Sequence, residues 1–500
     1  MTLCNYVRYV LSAVLAMSAT LHAAALRQCD NLTGRVTVDG KPRQGVVVSD
    51  GINVTATDAD GCYSMSTEGR QHVFLSVPAD CEVPVDADGT PAFYQTITYG
   101  NDAVARHDFA LVSAPVKKDW TLLTMADPQV AVGDTCDFER YIMPPLKEFV
   151  STLGDNVYGI TLGDLVWNTP SLLGYYKRRI GSTGVPVFAV IGNHDHNELV
   201  KGDKESDRDF RKVFGPTYYS VNIGDCHLVV LDDIYYRAEK GRNDYSDYVT
   251  PQQLVWLEKD LGYVSKDKMI IIGVHIPTAR RNVPGHVSSN KPLYDLVRGF
   301  KEVQILSGHS HYNFTTTIAP NITETTFGSV MGAFWYPLCH DGSPRGYAAL
   351  RFKGNRLVDK YYTGAGCDRD YQMKIYPPED AVLWNPRRKR GEPYDSILVN
   401  IFCWHDTWKV EVSEDGRRWK RLPDEARLRP EKAGGKCWDP DVRKSLVKGR
   451  IPAHHGGARP TNPNDHMFLY KPSSGWRKVS FRATDPFGNV YVSTLDNKSL

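Results

Sequence analysis

Short apolar runs punctuate the middle of the chain, and most stop at a residue that binds metal or handles protons. Thr121-Leu122-Leu123, Val157 to Leu162, Pro186 to Ile191, Met269 to Ile272 and Val303 to Leu306 read as buried strands. They run into Met125-Ala126-Asp127-Pro128-Gln129, Gly163-Asp164, Gly192-Asn193-His194-Asp195, Gly273-Val274-His275, and Gly308-His309 with His311. A strand that ends in Asp, Asn or His delivers that side chain to the carboxyl edge of a sheet, where open α/β sheets gather their ligands. The pattern predicts that strand ends from distant parts of the chain converge on one site, the arrangement a two-metal hydrolase needs.

Between these runs the spacing changes to that of helices, as in Arg140 to Leu153 and Pro251 to Val264. Thr250 is a fair N-cap for the second helix, Pro251 suits its first position, and Leu254, Leu257 and Leu261 share one face. Strands alternating with helices from Trp120 to about Phe314 predict an α/β (α+β) layered domain, with Asp225 to Leu231 as a strand of a second sheet. On its N-terminal side, Gly34 to Leu111 is short β runs broken by Asp39-Gly40, Asp50-Gly51 and Asp60-Gly61, a hairpin signature that predicts a small β-sandwich. Beyond about Gly328 the pattern returns to β, with runs at Tyr347 to Phe352, Arg356 to Tyr362, Ser396 to Phe402, Trp408 to Ser413 and Lys478 to Ala483. The expected boundaries are 1–24 for a leader, 27–113 for the sandwich, 117–327 for the central domain and 328–500 for a C-terminal β-rich domain.

A length of 500 residues suits several domains, and a formal net charge of +2 lacks the concentrated positive field a nucleic-acid binder needs. Arg8, the apolar stretch Tyr9 to Ala19 and the small residues after it read as a cleavable secretory signal, so a periplasmic or secreted protein is expected. That stretch is too short to span a bilayer comfortably, and no later one is long and apolar enough. Arg27 just before Cys29 argues against a lipid-anchored cysteine. Cys4 aside, an odd number of cysteines remains; Cys29 could pair with Cys81 or Cys62, and connectivity stays open. The basic run Pro386 to Arg390 reads as a solvated loop, or as a hold for an anionic polymer.

Taken singly the strand-end motifs are modest. Gly308-His309-Ser310-His311 is a compact pair of imidazoles at i and i+2, and Gly192-Asn193-His194-Asp195 sets an amide, an imidazole and a carboxylate in consecutive positions. In this order the whole set resembles the calcineurin-like metallophosphoesterases over Thr121 to Asn313. That resemblance implies a four-layer αββα sandwich, here flanked by an N-terminal immunoglobulin- or transthyretin-like β-sandwich and a C-terminal β-rich domain, as in secreted bacterial members. It also implies a dinuclear site. Asp127, Gln129, Asp164 and His311 would hold one divalent cation, and Asp164 would bridge to a second completed by Asn193, His275 and His309. Carboxylate, amide and imidazole donors suit Mn, Fe or Zn, with Mg possible. Two such cations about 3.5–4 Å apart clamp a phosphate and acidify a bridging water for in-line attack. His194 would be the proton donor at the leaving oxygen, with Asp195 orienting it; His196 is left between a pocket and a structural or surface position.

One ligand departs from the family pattern. Where the first motif usually has Asp-x-His, this chain has Asp127-Pro128-Gln129, and a neutral amide oxygen is a weaker donor that predicts a looser site accepting Mn²⁺ or Mg²⁺. Leu165 stands where an iron-binding tyrosine would sit beside Asp164, so Fe(III)-tyrosinate chemistry is not supported. Trp167 and Asn168 should lie at the rim. Trp335 with its neighbours, and Arg345, either wall the cleft and meet phosphate or seal a domain interface. The expected substrate is a small-molecule or envelope-derived phosphate ester, mono- or diester. The alternatives are a pyrophosphatase acting on nucleotide sugars or lipid headgroups, and a catalytically weak envelope- or glycan-binding protein, which Gln129 alone favours.

Overall fold

The computed structural model describes residues 30–237, 239, 244–279, 290–333, 336–429, 437–447 and 464–497. The leader expected at 1–24, Cys29 and Trp335 lie outside them. Two central sheets dominate. The first runs in the order Val187–Val190, Val157–Leu162, Asp119–Met125, Gly346–Lys353, Arg356–Gly364. The second runs Tyr219–Ile223, Cys226–Val230, Met269–Gly273, Glu302–Ser307, Ile322–Thr326, Phe314–Ala319.

The continuous apolar runs follow from burial on both faces. In the first sheet Leu122, Ile160 and Leu162 join the core shared with the second sheet, while Leu123, Met125 and Val187 join a separate core with Leu146, Tyr176 and Ile180 of the helices Met143–Ser151 and Leu173–Gly181. On the far side, Leu257 and Leu261 of Pro251–Leu261 and Leu293 and Val297 of Lys291–Val297 cover the second sheet. Helix, sheet, sheet, helix is the four-layer order, and parallel strands covered on both faces lose the alternation of half-exposed strands. Thr250 caps the helix Pro251–Leu261 as its sequence suggests, its hydroxyl accepting from Gln253 N at 3.4 Å.

Sheet membership departs from the linear reading in one place. Gly346–Lys353 and Arg356–Gly364, which the β pattern groups with the C-terminal region, are the antiparallel edge of the first central sheet, Gly346–Lys353 pairing with Asp119–Met125 from Asp119↔Lys353 to Thr124↔Ala348. Periodicity identifies a strand but not its partner. Trp120 stacks on Phe352 at 4.5 Å across this seam.

The N-terminal region is two small sheets, one around Leu32–Val38 and one in the order Val54–Ala56, Val47–Ser49, His72–Ser76, Tyr94–Thr96. Asp39 and Gly40 take φ of 51° and 76°, the two left-handed residues of a tight hairpin. The module is welded to the central layers: Val77 bridges Val221, Asn222 N donates to Val77 O at 3.0 Å, and Trp256 Nε1 donates to Ser49 Oγ at 3.0 Å. The C-terminal region has its own sheets, Met373–Tyr376 with Ile397–Ile401 and Met467–Tyr470, and Lys420–Arg421 with Lys409–Ser413, Lys478–Thr484 and Val490–Asp496. No disulfide joins the described cysteines, and no helix among the described residues is long and apolar enough to cross a membrane.

His72, buried at the seam, has its imidazolium pushed down to about 4 by burial and by Arg211 and Arg70. An unfolded histidine titrates near 6.5, so between about 6.5 and 4 the unfolded chain binds the extra proton. Stability is fully present above 6.5 and is lost as pH falls through that window. Urea midpoints measured from pH 7 to 4 should fall, and His72→Gln should flatten part of the fall; an unchanged slope would remove His72 from the account.

Candidate metal centre

Three of the five strand ends reach the centre through the same backbone device. Asp127, Gln129, Asp164, His309 and His311 take φ of 51°, 42°, 52°, 64° and 53°. Asn168 joins them at 49°, and outside the centre only Asp39 and Ala103 do so among the described non-glycine residues. A left-handed residue costs roughly 1–3 kcal/mol and persists only where its surroundings over-determine it. Here it turns the chain sharply off the sheet edge. Asp, Asn and His tolerate that conformation better than most residues. The adjoining glycines give room: a Cβ on Gly163 would come within 2.4 Å of His275 Nδ1, and one on Gly192 within 2.2 Å of Asp164 N.

Asp164, fully buried, is the hub. Its Oδ1 accepts from His194 N at 2.9 Å and lies 3.3 Å from His275 Nε2, while its Oδ2 accepts from Gln129 Nε2 at 2.7 Å. His275 faces Leu162 O with Nδ1 at 2.8 Å, so Nδ1 carries a proton and Nε2 points into the site. Around Nε2 stand Asn193 Oδ1 at 3.1 Å, His309 Nδ1 at 3.2 Å and the Asp164 oxygen. Asp127 takes the His309 amide on both oxygens, at 3.1 and 2.8 Å, and faces His311 Nε2 at 3.5 Å. The seven predicted ligands are thereby linked in one cluster.

The donor set fits cations. A neutral His275 would oppose its lone pair to the Asn193 and Asp164 oxygens, which a proton or a cation in their midst relieves. Ligand atoms about 2.0–2.2 Å from one ion stand about 3 Å from one another, close to the separations found. Asp164, His275 and His309 can each offer an atom with all lying within 4.8 Å. Gln129 Oε1 is buried with no hydrogen-bond partner, which suits a metal-facing amide oxygen. Charge shifts agree. Burial would raise the Asp164 carboxyl, but His275, His194 and His309 hold it far below the usual range. Burial would lower the His275 imidazolium, yet Asp164, Asp127 and Asp233 push it up to about 10.

One expected role changes hands. Asp195 does not reach the His194 ring: its Oδ1 accepts from Val166 N at 3.0 Å and its Oδ2 from Gly192 N at 2.8 Å, which pins the loop. Burial and then the Asp164 charge push Asp195 up to about 8. The His194 ring is instead held by Asn168, whose Oδ1 lies 2.7 Å from Nδ1, and by Trp167, stacked on it at 4.0 Å. Consecutive residues in a tight turn point in different directions, so sequence adjacency misleads here. Nε2 is left facing the centre, 4.0 Å from Asp164 Oδ2. His196 is buried rather than at the surface, with Nδ1 on Gly192 O at 3.0 Å and its ring stacked on Tyr236 at 5.1 Å. Arg345 lays its guanidinium 5.2 Å from the Tyr141 ring centre.

Supports not anticipated from the sequence include Asp233, which accepts from His275 N at 3.1 Å and Ile276 N at 2.9 Å, and Ser329, whose hydroxyl donates to Asp127 O at 2.8 Å. Asp233 ends the run Asp225 to Leu231 in the same strand-then-Asp manner as the ligands, which was its available signal.

Residues 128–313 match the calcineurin-like phosphoesterase family, residues 30–114 match the N-terminal region of calcineurin-like phosphoesterases, and residues 324–491 match their C-terminal region. The chain belongs to the calcineurin-like phosphoesterase family and is a metal-dependent phosphoric ester hydrolase. No curated protein matches it. Similar solved structures include a dimetal phosphatase from Danio rerio, at 14% identity and TM-score 0.35, covering 49% of this chain and 99% of that one. A 5'-nucleotidase from Candida albicans is 14% identical at TM-score 0.31, covering 49% of this chain and 52% of that one, about half its length. The NAD nucleotidase NadN from Haemophilus influenzae is 10% identical at TM-score 0.30, covering 67% and 60%.

If Asn168 orients His194, Asn168→Ala should lower turnover on the order of tenfold or more with metal content unchanged, the scale for loss of an orienting partner. Rates with p-nitrophenyl phosphate and elemental analysis of the purified variant check this; wild-type turnover would return the orienting role to another group.

Proposed function

We propose that this protein hydrolyses small-molecule or envelope-derived phosphate esters at the cluster around Asp164, as an exported enzyme. The cluster of ligand-type atoms about His275 Nε2 is the observation that carries the reading. In this proposal Asp127, Gln129, Asp164 and His311 hold one divalent cation, and Asp164, Asn193, His275 and His309 hold the second. When bound, the pair supplies charge neutralisation for the phosphate and activation of water.

The remaining work falls to the chain itself. His194, partly exposed and with Nε2 toward the centre, carries a proton to the departing oxygen; Asn168 and Trp167 hold its ring so that no reorientation is needed when charge develops. Asp195 acts by securing the amides of Gly192 and Val166, keeping the turn that presents Asn193 and His194. Gln129 donates through Nε2 to Asp164 while its Oε1 remains for a cation. A neutral oxygen in place of imidazole binds the first ion less tightly and favours hard ions such as Mn²⁺ or Mg²⁺. Export rests on the leader pattern of residues 1–24.

His194→Ala should cut turnover about a hundredfold or more while metal content stays at the wild-type level, the scale of a general acid. Parallel loss of metal would make His194 a ligand instead. Activity across p-nitrophenyl phosphate, bis-p-nitrophenyl phosphate and nucleotide diphosphate sugars should appear with Mn²⁺ and vanish with chelator. Absence of hydrolysis with Mn²⁺, Zn²⁺, Fe²⁺ and Mg²⁺ alike would sink the proposal. Gln129→His should tighten metal retention during dialysis against chelator, and unchanged retention would show that the amide is no weaker a ligand here.

A further inference from the structure

A second cavity, of about 230 Å³, opens where the hairpin Phe314–Ala319 and Ile322–Thr326, the strand Arg356–Gly364 and the C-terminal region meet. None of the proposed metal ligands lines it. Phe314, Trp408 and Phe487 supply apolar walls, and Lys360 enters from the central sheet. The Lys360 ammonium donates to Thr325 Oγ1 at 2.8 Å and faces Thr315 Oγ1 at 3.4 Å. Both partners are neutral hydroxyls, and no ion pair to Lys360 forms among the described residues. Asp485 lines the same cavity, but its oxygens are already engaged by the amides of Phe487 and Asn489 and by the Asn489 side chain.

An ammonium placed against apolar walls with only hydroxyl partners is costly, and an anion beside it offsets that cost. We propose that this cavity binds a small monoanion, a carboxylate carried on an aromatic or aliphatic body, with the carboxylate on Lys360 and Thr325 and the body against Phe314, Trp408 and Phe487. Charge favours a monoanion over a dianion here. Glu302 and Asp485 line the same cavity as the single Lys360 ammonium, so a phosphate dianion would meet twice the charge repulsion that a monoanion meets. Size is consistent, since an apolar cavity of about 150 Å³ takes a benzene ring. Burial pushes the Lys360 ammonium down to about 8 against the opposing pull of Cys403 and Asp485, which fits a cation short of a partner.

Calorimetric titration of the full-length protein with 3-phenylpropionate, 3-phenylpropionamide and inorganic phosphate tests this. Saturable binding of the carboxylate is expected, with at least tenfold weaker binding of the amide and of phosphate. Lys360→Met should weaken 3-phenylpropionate at least tenfold with an unchanged circular dichroism spectrum; should that variant misfold, Thr325→Val and Trp408→Ala are read in its place and should each weaken it. Asp164→Asn should leave the carboxylate affinity unchanged. No binding to the wild-type protein, equal binding of the amide, undiminished binding to the folded variants, or loss of binding in Asp164→Asn would each overturn the proposal.

Discussion

The buried carboxylate of Asp164 is the constraint on which the centre depends. It sits at the end of the strand Val157–Leu162 and takes the amide of His194 and the side-chain amide of Gln129, with the His275 ring alongside. A buried charge of this kind is tolerable only with hydrogen bonds and opposite charge around it. Three loops from distant parts of the chain are therefore drawn to one point. The left-handed turns at Asp127, Asp164, His309 and His311 are held by the same convergence.

The flanking regions act on this centre through the sheets. The N-terminal module continues the edge of the second sheet at Val77↔Val221, which shields a strand edge that would otherwise be open. On the other side the C-terminal region reaches the loop after the imidazole pair. Asn400 and Asn464 donate to Asp341 O at 2.6 and 2.5 Å, and His466 Nε2 lies 3.4 Å from Asp341 Oδ2. Asp341 in turn accepts from Asn313 N at 2.8 Å, two residues beyond His311. His340 packs its ring 5.5 Å from that of His311. A ligand on a loop is only as rigid as what holds the loop. The C-terminal region thus contributes to the centre without supplying a proposed ligand.

Much of this was legible in the chain. Apolar runs ending in Asp, Asn or His marked both the strands and the proposed ligands, because strands covered on two faces must be apolar until the chain leaves the sheet. The capped helix after Thr250 and the Asp-Gly hairpins followed from local chemistry. The orienting partner of His194 was not legible: Asp195 is adjacent in sequence, but the turn sends its carboxylate to the amides of Gly192 and Val166, and Asn168 arrives from another loop. Asp233 hid for a similar reason, since its work is to receive two backbone amides rather than to touch a ligand.

By itself the sequence determined the reaction class and the candidate donors, since these depend on which residues stand at strand ends and in what order. The tertiary structure alone decided that Gly346–Lys353 completes the first central sheet, that Asn168 and Trp167 hold the His194 ring, and that Lys360 faces hydroxyls at a junction of three regions. The difference is physical. Strand propensity and donor chemistry are properties of a few neighbouring residues, whereas partner choice and side-chain direction are settled only when distant segments compete for the same buried space.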